Sequence, residues 1–140
     1  MNPSKVIPVV TTGYTSKFFT LDLDSADLSG SAHLQLCGYS EALFALRMGD
    51  RGLDSLGVAP GDYVLFSTTS ALRSSGQLSL VRQEGEYIIR ETYWSGDTTL
   101  LRVPGDVFPP LNLPTENIRI AAALCDVIKD NELAPVVHFG

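Results

Sequence analysis

Lysine is nearly missing from this sequence: Lys5, Lys17 and Lys129 are all that occur among 140 residues. Lys and Arg together number 10 against 16 Asp and Glu, for a formal net charge of −6. Proteins that grip a phosphate backbone unaided need clustered Lys and Arg, so a stand-alone nucleic-acid binder is excluded. Two cysteines, Cys37 and Cys125, are too few for a disulfide framework and point to a cytoplasmic setting. His33 and His138 have no second His or Cys at ligand spacing, so they are read as surface or packing residues and no metal site is expected. No apolar run approaches the ~20 residues that cross a bilayer, and no membrane contact is expected. The first ten residues carry one positive charge, Lys5, and two prolines, Pro3 and Pro8, which makes a poor signal peptide. Also absent are G-x-x-x-x-G-K-[ST], G-x-G-x-x-G, C-x-x-C and H-E-x-x-H. With them go the phosphate cradle, the dinucleotide turn, the redox pair and the zinc-protease helix, and no cofactor is implied.

What remains is ordinary globular material, 44% hydrophobic and 19% charged. Residues 1–32 are rich in Thr, Ser, Asp and Pro around the short apolar run Val6–Val10 and the pair Phe18-Phe19, and they read as an extended N-terminal arm. Within the arm, Asp22-Leu-Asp24-Ser-Ala-Asp27 has the flavour of a calcium loop. It lacks the sixth-position glycine and has His33 where a bidentate Glu belongs, so a solvated acidic stretch is the reading. Residues 33–140 form the domain. Leu43–Met48 and Asp62–Thr68 read as strands, the second following the turn Ala59-Pro60-Gly61. Gln77–Arg82, Tyr87–Thr92 and Thr98–Val103 alternate apolar with polar residues, the pattern of half-buried strands. Gln83–Glu86 and Ser95–Asp97 are hairpin connections. Val107–Pro114 holds too many prolines for an interior strand or helix. Ile118–Ile128 is apolar with β-branched residues at both ends, and reads as a buried strand. Trp94, at a strand end, reads as a packing residue. The class expected is mostly β.

One succession of motifs goes further. Phe44-Ala-Leu-Arg-Met-Gly-Asp50 is followed by Leu56-Gly-Val-Ala-Pro-Gly-Asp-Tyr-Val-Leu-Phe66, and then by Ser75–Val81, Glu86–Glu91, Thr99–Pro104, Phe108–Leu111 and Ile118–Ile128. In that order, over about residues 43–130, they resemble the self-cleaving serine peptidase domain of LexA repressors and UmuD proteins. The family has a strand ending in G-D-S-M, then G-[IV]-x-x-G-D, a lysine-bearing strand and a closing apolar strand. The resemblance implies a bent, twisted, multi-stranded sheet assembly of the β-clip-like type, preceded here by the arm.

The family cleaves itself with a serine that a neutral, buried lysine deprotonates. Counting back from Gly57–Asp62 puts the serine position on Gly52, and anchoring on Gly49-Asp50 puts it on Arg51. The lysine position falls on Arg90, or on Ile89 if the gap moves. Neither serine candidate has a hydroxyl, and a guanidinium stays protonated at any usable pH. No lysine occurs between Leu53 and Ile128, so a Ser–Lys dyad is missing however the motifs are aligned. The family's cleavage dipeptide is Ala-Gly or Cys-Gly. Cys37-Gly38 matches but lies too close to Gly52 for an arm to fold back, whereas Thr12-Gly13 lies at a workable remove and serves equally well as a turn.

The expectation is therefore a non-catalytic, UmuD-like interaction module, homodimeric through the apolar C-terminal strand. A translesion polymerase or the RecA filament is the kind of partner implied, in the SOS response to DNA damage, with the arm lying in the vacant cleft or adding to a neighbour as a strand. Two alternatives stand beside it. One is an active autopeptidase or hydrolase with a site rebuilt on Ser55, with His33, Asp54 or Glu91 as base. The other is the effector domain of a repressor whose DNA-binding part is a separate chain. Arg51 and Arg90 both map to the cleft, where they read either as a small anion site or as exposed arginines paired with Asp50 and Glu91.

Overall fold

Turn residues cut the chain into short apolar segments, and each becomes a strand. The computed structural model describes residues 4–21, 32–37, 43–67, 76–129 and 137–138. They hold β1 (Ser4–Gly13), β2 (Ala32–Cys37), β3 (Leu43–Met48), β4 (Tyr63–Ser67) and β5 (Gln77–Gln83). β6 (Glu86–Ser95), β7 (Thr98–Arg102), β8 (Leu111–Pro114), β9 (Arg119–Ile128) and β10 (Val137–His138) follow. Short 3-10 turns cover Asp54–Leu56, Pro104–Asp106 and Thr115–Asn117. The protein is mostly β, as its sequence predicts. No helix among the described residues is long and apolar enough to cross a membrane.

The strands run in the order β10-β2-β1-β3-β4-β9-β5-β6-β7-β8. Among the described residues, only β1 and β3 pair in parallel; the other neighbours are antiparallel. β5 and β6 are joined across Glu84 (φ 50°) and Gly85 (φ 83°), the two left-handed residues that a tight hairpin turn with the strands' own twist requires. Register shifts at Leu65/Phe66 and Leu80/Val81 bend the strands against β9.

The segment read as an arm is extended, but it is built into the sheet. Ser4–Pro8 of β1 pair with β2, and Val9–Gly13 pair with β3. Beyond Gly13 the chain crosses to β6: Ile89 N–H donates to Tyr14 O at 3.1 Å, and Phe19 and Tyr87 exchange two backbone hydrogen bonds of 2.8 Å. This strap, residues 14–19, joins β1 to β6 and closes β1, β3, β4, β9, β5 and β6 into a ring. Inside the ring lie Leu46, Met48, Val64, Phe66, Leu80 and Ile89, with Phe19 of the strap among them. A second cluster, Val81, Ile88, Leu101 and Ile118, forms on the outer face of β5 and β6, where Phe18 and Trp94 pack against it.

Two burial expectations change. Tyr87–Thr92 is not half-buried: Tyr87, Ile88, Ile89, Arg90 and Thr92 are all buried, because one cluster covers each face of β6. β9 is a strand as expected, yet it buries only Ala122 and Ala123 and exposes Cys125 and Asp126. The prolines of Val107–Pro114 leave room for one short strand, β8, and it lies at the end of the sheet. The stretch Asp22–Asp27, Gly38 and the side chains of His33 and His138 lie outside the described residues.

Candidate functional site

The loop after β3 is the centre of the arrangement. Its start is held from two sides, by Gly49 N–H donating to Gly13 O (2.9 Å) and by Gly61 N–H donating to Met48 O (2.9 Å). The next residue, Asp50, accepts five hydrogen bonds. Its Oδ2 takes Thr15 N–H (2.8 Å), Ser16 N–H (2.9 Å) and Ser16 Oγ (2.9 Å). Its Oδ1 takes Thr15 Oγ1 (2.8 Å) and Gly52 N–H (3.1 Å). Partial burial pushes this carboxyl up. The hydrogen bonds from Ser16, Thr15 and Gly52 outweigh that push and hold it below its ordinary 3.8. One side chain thus ties the strap to the loop.

Gly52 and Arg51, the two candidates for the serine position, part company here. Gly52 is buried against the strap: a Cβ built on it would stand 1.7 Å from Thr15 Oγ1 and 2.6 Å from Thr15 Cβ. Thr15 therefore takes the space that a side chain at position 52 would need. Arg51 points out, 75% exposed, and pairs with Asp54 at 3.6 Å.

Arg90 overturns the expectation of an exposed, paired arginine. It is only 2% exposed and ranks first by volume among the fully buried side chains. β5 takes one edge of β6; the strap takes the other edge at Tyr87–Ile89, and β7 takes it from Glu91 onward. Arg90 stands at the gap between them. Its Nε donates to Thr15 O (2.8 Å), and its Nη1 donates to Leu101 O (3.2 Å) and Pro109 O (2.9 Å). A planar fork suits three diverging carbonyls in a way that an ammonium does not. Burial pulls its pKa down and the Asp50 charge pushes it up. Glu91, the expected partner, instead accepts from Tyr93 Oη at 3.1 Å. With Arg51 exposed and Arg90 enclosed, the two arginines do not form one surface anion site.

The other candidate residues are placed as follows. Ile89, the alternative lysine position, is buried in the ring. Thr12-Gly13 is not a turn: it ends β1 opposite Arg47 and Met48, and a Cβ on Gly13 would press on Ile89 Cδ1 at 2.8 Å. The residues that meet Asp50 and Arg90 are Thr15 and Ser16, a little further along. Ser55 is exposed on the 3-10 turn Asp54–Leu56 beside Gly105. Of the bases weighed for it, Asp54 is paired with Arg51 and Glu91 with Tyr93.

Sequence reasoning did not single out Thr15, Ser16 or the role of Asp62. Asp62 Oδ2 accepts Ala59 N–H at 2.9 Å, and the same carboxylate takes Lys129 Nζ, which also reaches Gly57 O. The lysine nearest the closing strand is thereby a brace for the Gly57–Asp62 turn. The Pro-Gly-Asp signal was visible; its partner, 67 residues away, was not. Chemically, the arrangement holds chain segments together and leaves its best-placed cation committed to backbone carbonyls. No protein-family model matches this chain, and the search of curated proteins found no match to it.

Proposed function

We propose that this chain is a non-catalytic LexA/UmuD-like module, a cytoplasmic homodimer that works through protein contacts in the response to DNA damage. The observation that carries the reading is Arg90: the residue at the lysine position is a buried, three-carbonyl clamp, and a guanidinium does not serve as a general base. Thr15, packed into the space beside Gly52, supports it from the other half of the dyad. The strap then occupies the cleft as a permanent structural member rather than as a substrate. A translesion polymerase or the RecA filament is the class of partner proposed, with no cofactor, nucleic acid or membrane required.

Incubation with activated RecA filaments, or at alkaline pH, is expected to leave the chain at full mass. A discrete fragment ending near residue 12 or residue 37 in the mass spectrum overturns the reading. A rebuilt hydrolase centred on Ser55 would have to find its base elsewhere than in Asp54 or Glu91 as they now stand.

A further inference from the structure

Arg51 and Arg90 do not share a site, but the sheet brings two other arginines face to face. β5 and β9 run antiparallel with Leu80 opposite Ala122; the register then shifts, so that Val81 meets Ile120 and Arg82 meets Arg119. Without that shift Ile120 would stand opposite Arg82. A bulge of this kind re-aims side chains and recurs beside functional sites. Directly opposed residues of an antiparallel pair put their side chains on one face, with Cα atoms about 5 Å apart. Both arginines are exposed.

Like charges set directly opposite one another destabilise a sheet, and this chain has 16 acidic residues with which to relieve them. Among the described residues, ion pairs join Arg51 to Asp54, Arg102 to Asp106 and Lys129 to Asp62, and Arg82 enters neither an ion pair nor a hydrogen bond. Arg119 is held instead by backbone: its Nη1 donates to Glu116 O (3.2 Å) and Ile118 O (2.9 Å). Glu116 thus offers its carbonyl and not its carboxylate, which leaves both guanidinium charges uncompensated. We propose that Arg82 and Arg119 together bind a phosphoryl group. A phosphate monoester carries a charge of about −1.5 to −2 at neutral pH and three strong acceptor oxygens, which matches two guanidinium forks. A polyanion does not fit, because the chain's net charge of −6 repels it and two cations give it too little purchase. This site does not depend on the functional reading above.

NMR spectra of the arginine Nε–H groups test it, with inorganic phosphate titrated against sodium chloride of matched ionic strength. In the unsubstituted chain the signals of Arg82 and Arg119 are expected to shift to saturation with phosphate and not with chloride. Arg47, exposed on β3 and outside the pair, should stay still. Arg82→Gln is expected to weaken phosphate binding ~10-fold or more. Arg82→Lys should restore only part of it, because an ammonium keeps the charge and loses the fork. The mapping on the unsubstituted chain is independent of any variant's folding. Shifts that chloride reproduces, shifts of equal size at Arg47, or undiminished binding by Arg82→Gln overturn the proposal. A phosphoserine peptide titrated alongside separates the sources: tighter binding than inorganic phosphate supports a phosphorylated partner, and equal or weaker binding supports free phosphate.

Discussion

At the scale of single residues, two arginines that look alike in the sequence do opposite work. Arg51 is exposed and paired with Asp54 across 3.6 Å, the kind of surface contact that contributes little. Arg90 is buried and satisfies the carbonyls of Thr15, Leu101 and Pro109, groups that lose water on folding. Arg51→Ala is expected to change unfolding free energy by no more than ~0.5 kcal/mol. Arg90→Ala strands three acceptors and opens a cavity, with an expected cost of roughly 3 kcal/mol or more. Urea unfolding followed by circular dichroism separates the two; similar midpoints for both variants would refute the clamp. Arg90→Lys should recover little of the loss, because a point charge cannot reach three carbonyls spread around a gap.

At the scale of elements, the strap packs so closely on the loop after β3 that it leaves no room for a side chain at position 52. Thr15 lies where a Cβ on Gly52 would go, at 1.7 Å from its Oγ1. Gly52→Ala must therefore push the strap off the loop or distort both, at a cost of about 1–3 kcal/mol. Thr15→Gly alone loses the Oγ1 bond to Asp50. In the double variant the clash is gone, so the two costs should add up to more than the pair costs together. A double-mutant cycle measures that coupling, and simple additivity would show that the contact is not tight. The strap itself was partly legible beforehand, since Phe18 and Phe19 marked an apolar anchor in a polar stretch. Its route was not, because an extended segment carries no sign of which edge it will join.

At the scale of the whole molecule, the ring stays closed through the strap, and Asp50 is the charge that fastens it. Its folded-state pKa lies below 3.8 because five donors favour the ionised form. A carboxyl depressed on folding adds stability that is full above its unfolded pKa and is lost as pH falls through the folded one. The chain should therefore lose stability on acidification from about pH 5 downward, while Asp50→Asn, already weaker at neutral pH, should show a flatter acid limb. Thermal midpoints taken across that range check it, and parallel acid limbs for the two proteins would remove Asp50 from the account.

Much of this protein was settled by its sequence alone. Alternating apolar residues and Gly, Pro and Asp turns mark the strands from β3 to β7 within a residue or a few of where they form, since strand period and turn chemistry are local properties. The want of a lysine between Leu53 and Ile128 is likewise local, and no fold can supply one. Tertiary structure alone decided the rest. Asp50 meets Thr15 across 35 residues and Arg90 meets it across 75, and neither separation leaves a trace in nearby sequence. Whether an arginine is a surface charge or a buried clamp depends on the carbonyls that the closed ring brings around it: one from the distant strap, Thr15, and two from the stretch Leu101–Pro109.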